Sequence, residues 1–475
     1  MKKYLCLLCV LIITASASLS SCKRGDHPDK LPEENDHTHS FSGSVTKVDP
    51  TCTEDGKTAS YCICGESEII VIPALGHDYD DFGNCSVCQA YMPATEGVLY
   101  EENLDGGYAE VVGYIGEATT VVVADEYHGL PVTSIAPYAF ADKEQIASVI
   151  LPESMIYIEY YAFRGCSSLS SVSIGAYVRG IGSGAFNGCN SLSSFYIKED
   201  NLKYTEIDGS LYTKDKTTLL RYAAGRSSDA FTIPDGVTHI GYGAFYGTEA
   251  LKSVVIPEGV ISIGECAFTN CDSLLSVVIP DSVENIGDYA FQHCTSLTSL
   301  ELGSSLKSIG YSAFSSCTSL SSVFIPKSVV SIKDYAFSSC LLLSLIEVDA
   351  KNTSYTSIGG NLYTKDGKTL IQYAIGRSDA SFTVPDSVTK IGKGAFSHCT
   401  SLKSIEMPGS LSFIGENAFA AAYHLKDVHY GDTEAQWKLI SIGFGNDLLL
   451  NCTIHFSKNN TDEAPPDIEG GLGWG

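Results

Sequence analysis

The sequence predicts a mainly β solenoid of 23-residue coils with two hairpin-type inserts, preceded by a small Cys-rich module. Three observations carry this. An Ala-Phe pair recurs at Phe140, Phe163, Phe186, Phe245, Phe268, Phe291, Phe314, Phe337, Phe396 and Phe419, with spacings of 23 residues broken twice by 59. Each unit holds an apolar stretch of the type S-V-V-I-P and a second, V-x-x-I-G, which read as short strands closed by Pro or Gly. Five of the 17 cysteines crowd into residues 37–91, ahead of the first unit.

The chain begins with an address. Lys2 and Lys3 precede an apolar run from Tyr4 to Ile13, and mostly small residues follow from Thr14 to Ser21. This is the layout of a secretion signal, and the run is about half what a membrane-spanning helix needs. The stretch Leu19-Ser20-Ser21-Cys22 resembles a bacterial lipobox. That resemblance implies a lipoprotein signal peptide over 1–21 and lipid on the Cys22 sulfur. It also implies attachment to a bacterial membrane or cell surface through the lipid alone. The alternative is ordinary signal cleavage beside an incidental cysteine. Residues 22–36 are polar, charged and carry prolines, and read as a flexible tether.

Residues 37–91 contain Cys52, Cys62, Cys64, Cys85 and Cys88 together with His37, His39 and His77. Cys85-x-x-Cys88 has the spacing with which two thiolates grip one tetrahedral metal, and Cys62-x-Cys64 is one residue shorter. Cys62, Cys64, Cys85 and Cys88 are therefore candidate ligands of a zinc ion. Disulfides, with the fifth cysteine spare, are the equal alternative in an exported chain, and free thiols are a third. Either way the cysteines act as a staple, because a module this small has little core. Four cysteine ligands would leave no open position for catalysis. The run TCTEDGKTASYCICGESEIIVIPALGHDY followed by NCSVC resembles short Cys-rich repeats in surface proteins of anaerobic Gram-positive bacteria.

Ten aligned units give A-F-x-x-C-x-S-L-x-S-[VI]-x-I-P-x-[SG]-V-x-x-I-G-x-x, as in AFTNCDSLLSVVIPDSVENIGDY from Ala267 to Tyr289. A period of 23 lies in the range of leucine-rich repeats. A single unit cannot bury its Phe, Leu, Val and Ile, so stacking must do so. The two inserts match each other: one starts at Tyr204, the other at Tyr355, and both centre on L-Y-T-K-D. Each reads as a β-hairpin that either continues the solenoid or projects from it. The expected organisation is an N-terminal cap and first coil over 98–139, a leucine-rich-repeat solenoid over 140–429, a C-terminal cap over 430–456 and a disordered tail over 457–475.

The repeat resembles the BspA-type leucine-rich-repeat family of bacterial surface proteins, over about Val98 to Phe456. The stretch GGYAEVVGYIGEATTVVVADEYHGLPVTSIAPYAF from Gly106 looks like the opening cap of that family. The stretch YGDTEAQWKLISIGFGNDLLLNCTIHF from Tyr430 looks like its closing segment. Caps are needed because end coils would otherwise expose apolar interior and open strand edges. The resemblance implies host proteins, matrix or neighbouring bacteria as targets.

Residue chemistry points the same way. With 56 acidic against 30 basic residues the chain carries a formal charge of −26, which excludes nucleic acid and anionic lipid as natural partners. Seven units place Cys three residues after Phe, at Cys166, Cys189, Cys271, Cys294, Cys317, Cys340 and Cys399, as expected of small buried hydrophobes. His293 and His398 precede two of these, but their regular placement reads as exposed turns. Gly180-Ile181-Gly182-Ser183-Gly184 reads as repeat turns, with no long helix behind it to hold a phosphate. Asp281, Glu284 and Asp288 fall in the solvated slots. Tyr138, Tyr160, Tyr161, Tyr289 and Tyr335 stand just before Ala-Phe pairs, where they either pack between coils or offer half-exposed rings to a ligand. No catalytic residue and no cofactor is expected, and no ligand-binding residue is singled out. The expected protein is a non-catalytic, lipid-anchored cell-surface recognition or adhesion protein that binds extracellular protein or glycan ligands. A surface glycan-binding protein for carbohydrate capture is the alternative.

Overall fold

A computed structural model describes residues 46–61 and 67–458. The chain divides into two units: one runs to Asp80 and takes in Asn84–Met92, the other takes Asp81–Gly83 and everything from Pro93. The signal segment, the tether, Cys22, Cys62, Cys64, His37 and His39 lie outside the described residues, as does most of the C-terminal tail.

In the first unit, strands Thr46–Val48, Gly56–Tyr61 and Ser67–Ile72 form a three-stranded antiparallel sheet in that order, with Thr46 opposite Ala59 and Gly56 opposite Ile72. Ile69, Ile70 and Val71 are 60%, 55% and 52% exposed. The sheet therefore has no apolar layer over either face of its last strand.

The second unit is the solenoid. Each regular coil gives two short strands, and each strand pairs in parallel with its equivalent 23 residues away. Ser253–Val255, Ser276–Val278 and Ser299–Glu301 make one ladder. Ser262–Ile263, Asn285–Ile286, Ser308–Ile309 and Ser331–Ile332 make the other. Alternation turns Val254, Val277 and Leu300 inward, while Val255 and Val278 face out. The glycine that ends V-x-x-I-G is there because coils touch: a Cβ on Gly310 would lie 2.4 Å from the carbonyl carbon of Gly287.

The third side of the coil is the Ala-Phe turn. Phe268, Phe291 and Phe314 are fully buried and stack almost parallel, with centroids 4.8 and 5.2 Å apart and planes 4° and 5° apart. Residues two before and two after each Phe adopt positive φ: Tyr289 (58°) and His293 (58°) flank Phe291. Left-handed backbone costs a non-glycine residue about 1–2 kcal/mol. In return it aims alternate N–H groups at the next coil. Tyr289, Phe291 and His293 donate to the carbonyls of Tyr311, Ala313 and Ser315 at 2.7, 2.7 and 2.9 Å.

Both inserts continue the solenoid. Tyr204–Ile207 and Ser210–Thr213 form an antiparallel hairpin, Thr218–Arg221 pairs with its second strand, and then joins His239–Ile240 in parallel. The second insert repeats this with Tyr355–Ile358, Asn361–Thr364, Thr369–Gln372 and Lys390–Ile391. The Phe slot of each insert coil holds a tyrosine, which the Ala-Phe pattern did not reveal. Tyr222 stacks on Phe245 at 5.1 Å and Tyr373 on Phe396 at 5.0 Å. Buried Asn201 and Asn352 tie the hairpins down: each side-chain amide donates to two carbonyls, while its oxygen accepts from two backbone N–H groups. Adjacent hairpin residues face opposite ways. Leu211 belongs to the core before the insert and Tyr212 to the core after it, and Leu362 and Tyr363 repeat the division.

At the N-terminal end of this unit, strands Val98–Asn103 and Tyr108–Tyr114 form an antiparallel hairpin whose second strand joins Leu130–Ile135. At the other end Asp427–Tyr430 pairs with Thr453–Phe456, and Trp437 packs edge-on to Tyr430 at 5.3 Å.

Candidate functional site

The repeat cysteines are structural. Six of the seven thiols donate to the Phe carbonyl of the preceding coil, among them Cys271 to Phe245 at 3.1 Å, Cys294 to Phe268 at 3.2 Å and Cys317 to Phe291 at 3.2 Å. They are free thiols. Burial pushes the thiols of Cys166 and Cys271 up to about 12 and that of Cys399 up to about 11, far from a nucleophile at neutral pH. His293 is exposed, and His398 turns its Nδ1 to the Ser339 hydroxyl at 2.8 Å, so neither forms a dyad with its neighbouring cysteine. Asp281 accepts from the Ser304 N–H, while Glu284 and Asp288 pair with Lys307 and Lys333 at the surface, at 2.8 and 2.9 Å.

The tyrosines build a groove. Positive φ holds Tyr138 and Tyr161 over the coil edge, where their rings stack at 5.4 Å, and Tyr160 meets Tyr138 edge-on at 5.6 Å. The Tyr161 hydroxyl reaches across the first insert to that of Tyr242, 81 residues on. Burial, and then this hydroxyl contact, push the Tyr242 phenol upward. Tyr138, Tyr161, Tyr242, Tyr246 and Tyr289 line an open groove of about 410 Å³ with Arg164, Asn187 and Gln292, and no carboxylate lines it. On so acidic a chain this surface stands apart. The rings pack coil to coil, and Tyr138 remains 47% exposed. Tyr289 is in the groove. Tyr335 lies further along, edge-on to Tyr311 at 5.4 Å, with its hydroxyl donating to the Glu416 carbonyl. Tyr242 and Tyr246 escaped the sequence reading because only the insert geometry brings them to Tyr161.

Beneath this groove, sharing Asn187 and Tyr242 with it, lies a cavity of about 110 Å³ beside Arg221. Arg221 is 3% exposed; its Nη1 donates to the Gly243 and Tyr246 carbonyls at 2.9 and 3.1 Å, while Nε and Nη2 have no partner among the described residues. Burial pushes its pKa down. At the matching place in the second insert stands neutral Gln372, whose amide donates to Tyr373 and Ala395.

Of the candidate metal ligands, Cys85 and Cys88 are brought together, and with them come Cys52 and His77. Cys62 and Cys64 fall outside the described residues. Cys52 and His77 are distant in sequence from the Cys85-x-x-Cys88 pair, and no spacing rule joins them to it.

The fold and these surfaces define a leucine-rich-repeat solenoid whose coils serve as a scaffold for contact. The family model for the BspA type leucine rich repeat region matches six copies over residues 131–218, 222–364 and 376–440, more than half of the chain. The protein therefore belongs to the BspA-type leucine-rich-repeat family. Solved structures similar to it include a leucine rich cell surface protein from Faecalibacterium prausnitzii A2-165, with 24% identity over 78% of this chain and 95% of that one and a TM-score of 0.38. The pneumococcal vaccine antigen PcpA shares 18% identity over 78% of this chain and 88% of its own, with a TM-score of 0.42. A leucine-rich repeat protein from Eubacterium ventriosum ATCC 27560 shares 20% identity over 69% and 93%, with a TM-score of 0.44. No curated protein sequence matches the chain. No helix among the described residues is long and apolar enough to cross a membrane.

Proposed function

We propose that this protein is a non-catalytic recognition protein of the bacterial cell surface. It is exported by its 1–21 signal, held by lipid on Cys22 and spaced from the membrane by residues 22–36. Its solenoid binds an extracellular protein or glycan. The observation that carries this reading is the tyrosine-lined groove, where half-exposed rings stand beside Arg164, Asn187 and Gln292. Rigid aromatic area with hydroxyl and amide edges suits recognition, because it offers contact at little entropic cost. The stacked Tyr138–Tyr161 pair also favours the narrower reading of glycan capture, with a sugar ring on the exposed Tyr138 face.

The test is solid-phase binding of the soluble Cys22→Ser chain to host-matrix proteins, and to a glycan array. Saturable binding that drops at least tenfold in Tyr138→Ala and Arg164→Ala supports the proposal. Binding unaffected by either change, or none to any surface, counts against it. Mass spectrometry of the membrane fraction must find the acylated N-terminal peptide beginning at Cys22.

A further inference from the structure

We propose that Cys52, His77, Cys85 and Cys88 form a structural Zn(II) site that folds the first unit. Their ligand atoms all lie within 4.8 Å of one another. Cys52 Sγ stands 3.7 Å from Cys85 Sγ, and Cys88 Sγ stands 3.3 Å from Nδ1 of His77. A tetrahedral zinc with Zn–S near 2.3 Å and Zn–N near 2.0 Å sets its sulfurs about 3.8 Å apart and sulfur to nitrogen about 3.6 Å. Both of these contacts match this to a few tenths of an ångström, and the remaining pairs fall within 4.8 Å.

The surroundings are built for the same purpose. The chain turns tightly from Cys85 to Cys88, and the Gln89 N–H returns to the Cys85 carbonyl at 2.9 Å. Gln89, directly after Cys88, takes a left-handed φ of 61° to close the turn. The donor set is three thiols and one imidazole with no carboxylate, which selects zinc over calcium or magnesium. All four positions come from protein, so the metal is structural and cannot activate water.

Burial supplies the independent argument. Among the described side chains of this unit only Cys52 and Cys85 are buried, at 5% and 0% exposure. Isoleucines and valine of its sheet lie open to solvent. With no apolar core among its described residues, the unit takes its folding energy from metal binding.

The full-length soluble chain, purified without chelator, is analysed by inductively coupled plasma mass spectrometry. Zinc is expected in the wild type. One equivalent should be lost in Cys52→Ser, Cys85→Ser and Cys88→Ser, and kept in His77→Cys, which preserves four ligands. Cobalt(II) refilling should give the visible bands of a tetrahedral thiolate site, absent from Cys85→Ser. Chelation should expose residues 46–92 to protease while the solenoid stays intact. A wild-type chain without zinc, zinc content unchanged by all three serine variants, or a Cys52–Cys85 disulfide in the peptide map would each overturn the proposal.

Discussion

Replacing Arg221 by glutamine should stabilise the coil in which it is buried, although the change removes two hydrogen bonds. The guanidinium is 3% exposed and two of its three nitrogens have no partner among the described residues. Burying such an ion costs several kcal/mol. Its two charge-assisted bonds to Gly243 and Tyr246 return about 1.5–3 kcal/mol each. Glutamine there can donate to the carbonyls of Tyr222 and Ala244, as Gln372 does to Tyr373 and Ala395. Those neutral bonds contribute about 1 kcal/mol each without the ionic penalty. Enlarging the 110 Å³ cavity takes back up to about 1 kcal/mol. With an ionic penalty of about 5–6 kcal/mol, the balance favours glutamine by about 2 kcal/mol. The assay is native-state hydrogen exchange at the Tyr222 amide, which is bonded to the Ala244 carbonyl. Its protection should rise roughly 30-fold, since 1.4 kcal/mol is a factor of ten. Reduced protection in Arg221→Gln would refute the reasoning. The converse change, Gln372→Arg, should lower protection at Tyr373 by a similar factor.

Phe291→Ala should cost about 3–5 kcal/mol, because a fully buried ring stacked on both sides is lost; a urea-midpoint shift worth less than 2 kcal/mol would contradict the ladder's role. Asn352→Ala should cost about 2–4 kcal/mol, one modest increment for each of four bonds to backbone, and should loosen the second hairpin first in hydrogen exchange. Cys166, Cys271 and Cys399, with thiols raised by burial to about 12, 12 and 11, should resist iodoacetamide at pH 8 in the native chain and react in urea. Rapid native labelling at these three would mean that the turns open.

The repeat was legible because a coil's register is written residue by residue: an inward Phe, Leu, Val and Ile recur every 23 positions. The insert coils were half legible. Their match to each other was plain, but Tyr222 and Tyr373 stand where the pattern asks for Phe, so the hairpins gave no sign whether they stayed in the stack. The structural role of the cysteines followed from size alone, whereas their bond to the preceding coil's Phe carbonyl needed the stacking geometry. Of the groove, Tyr138, Tyr161 and Tyr289 showed themselves by position before Ala-Phe. Tyr242 did not, since its contact with Tyr161 depends on an insert that brings together residues 81 apart. In the cysteine module a local turn is encoded by two close thiols, while Cys52 and His77 arrive through the fold of the sheet and its following loop.

The opposed facing of Leu211 and Tyr212, repeated at Leu362 and Tyr363, turns each hairpin into a bulkhead between sealed holds. Tyr212 and Tyr363 are 151 residues apart, so one hold together with one bulkhead is a complete module of inheritance. Joining like to like at the bulkheads would keep each hold closed by a wall on both sides. Lengthening the molecule therefore requires no invention of new termini, only another copy of a part that already closes itself.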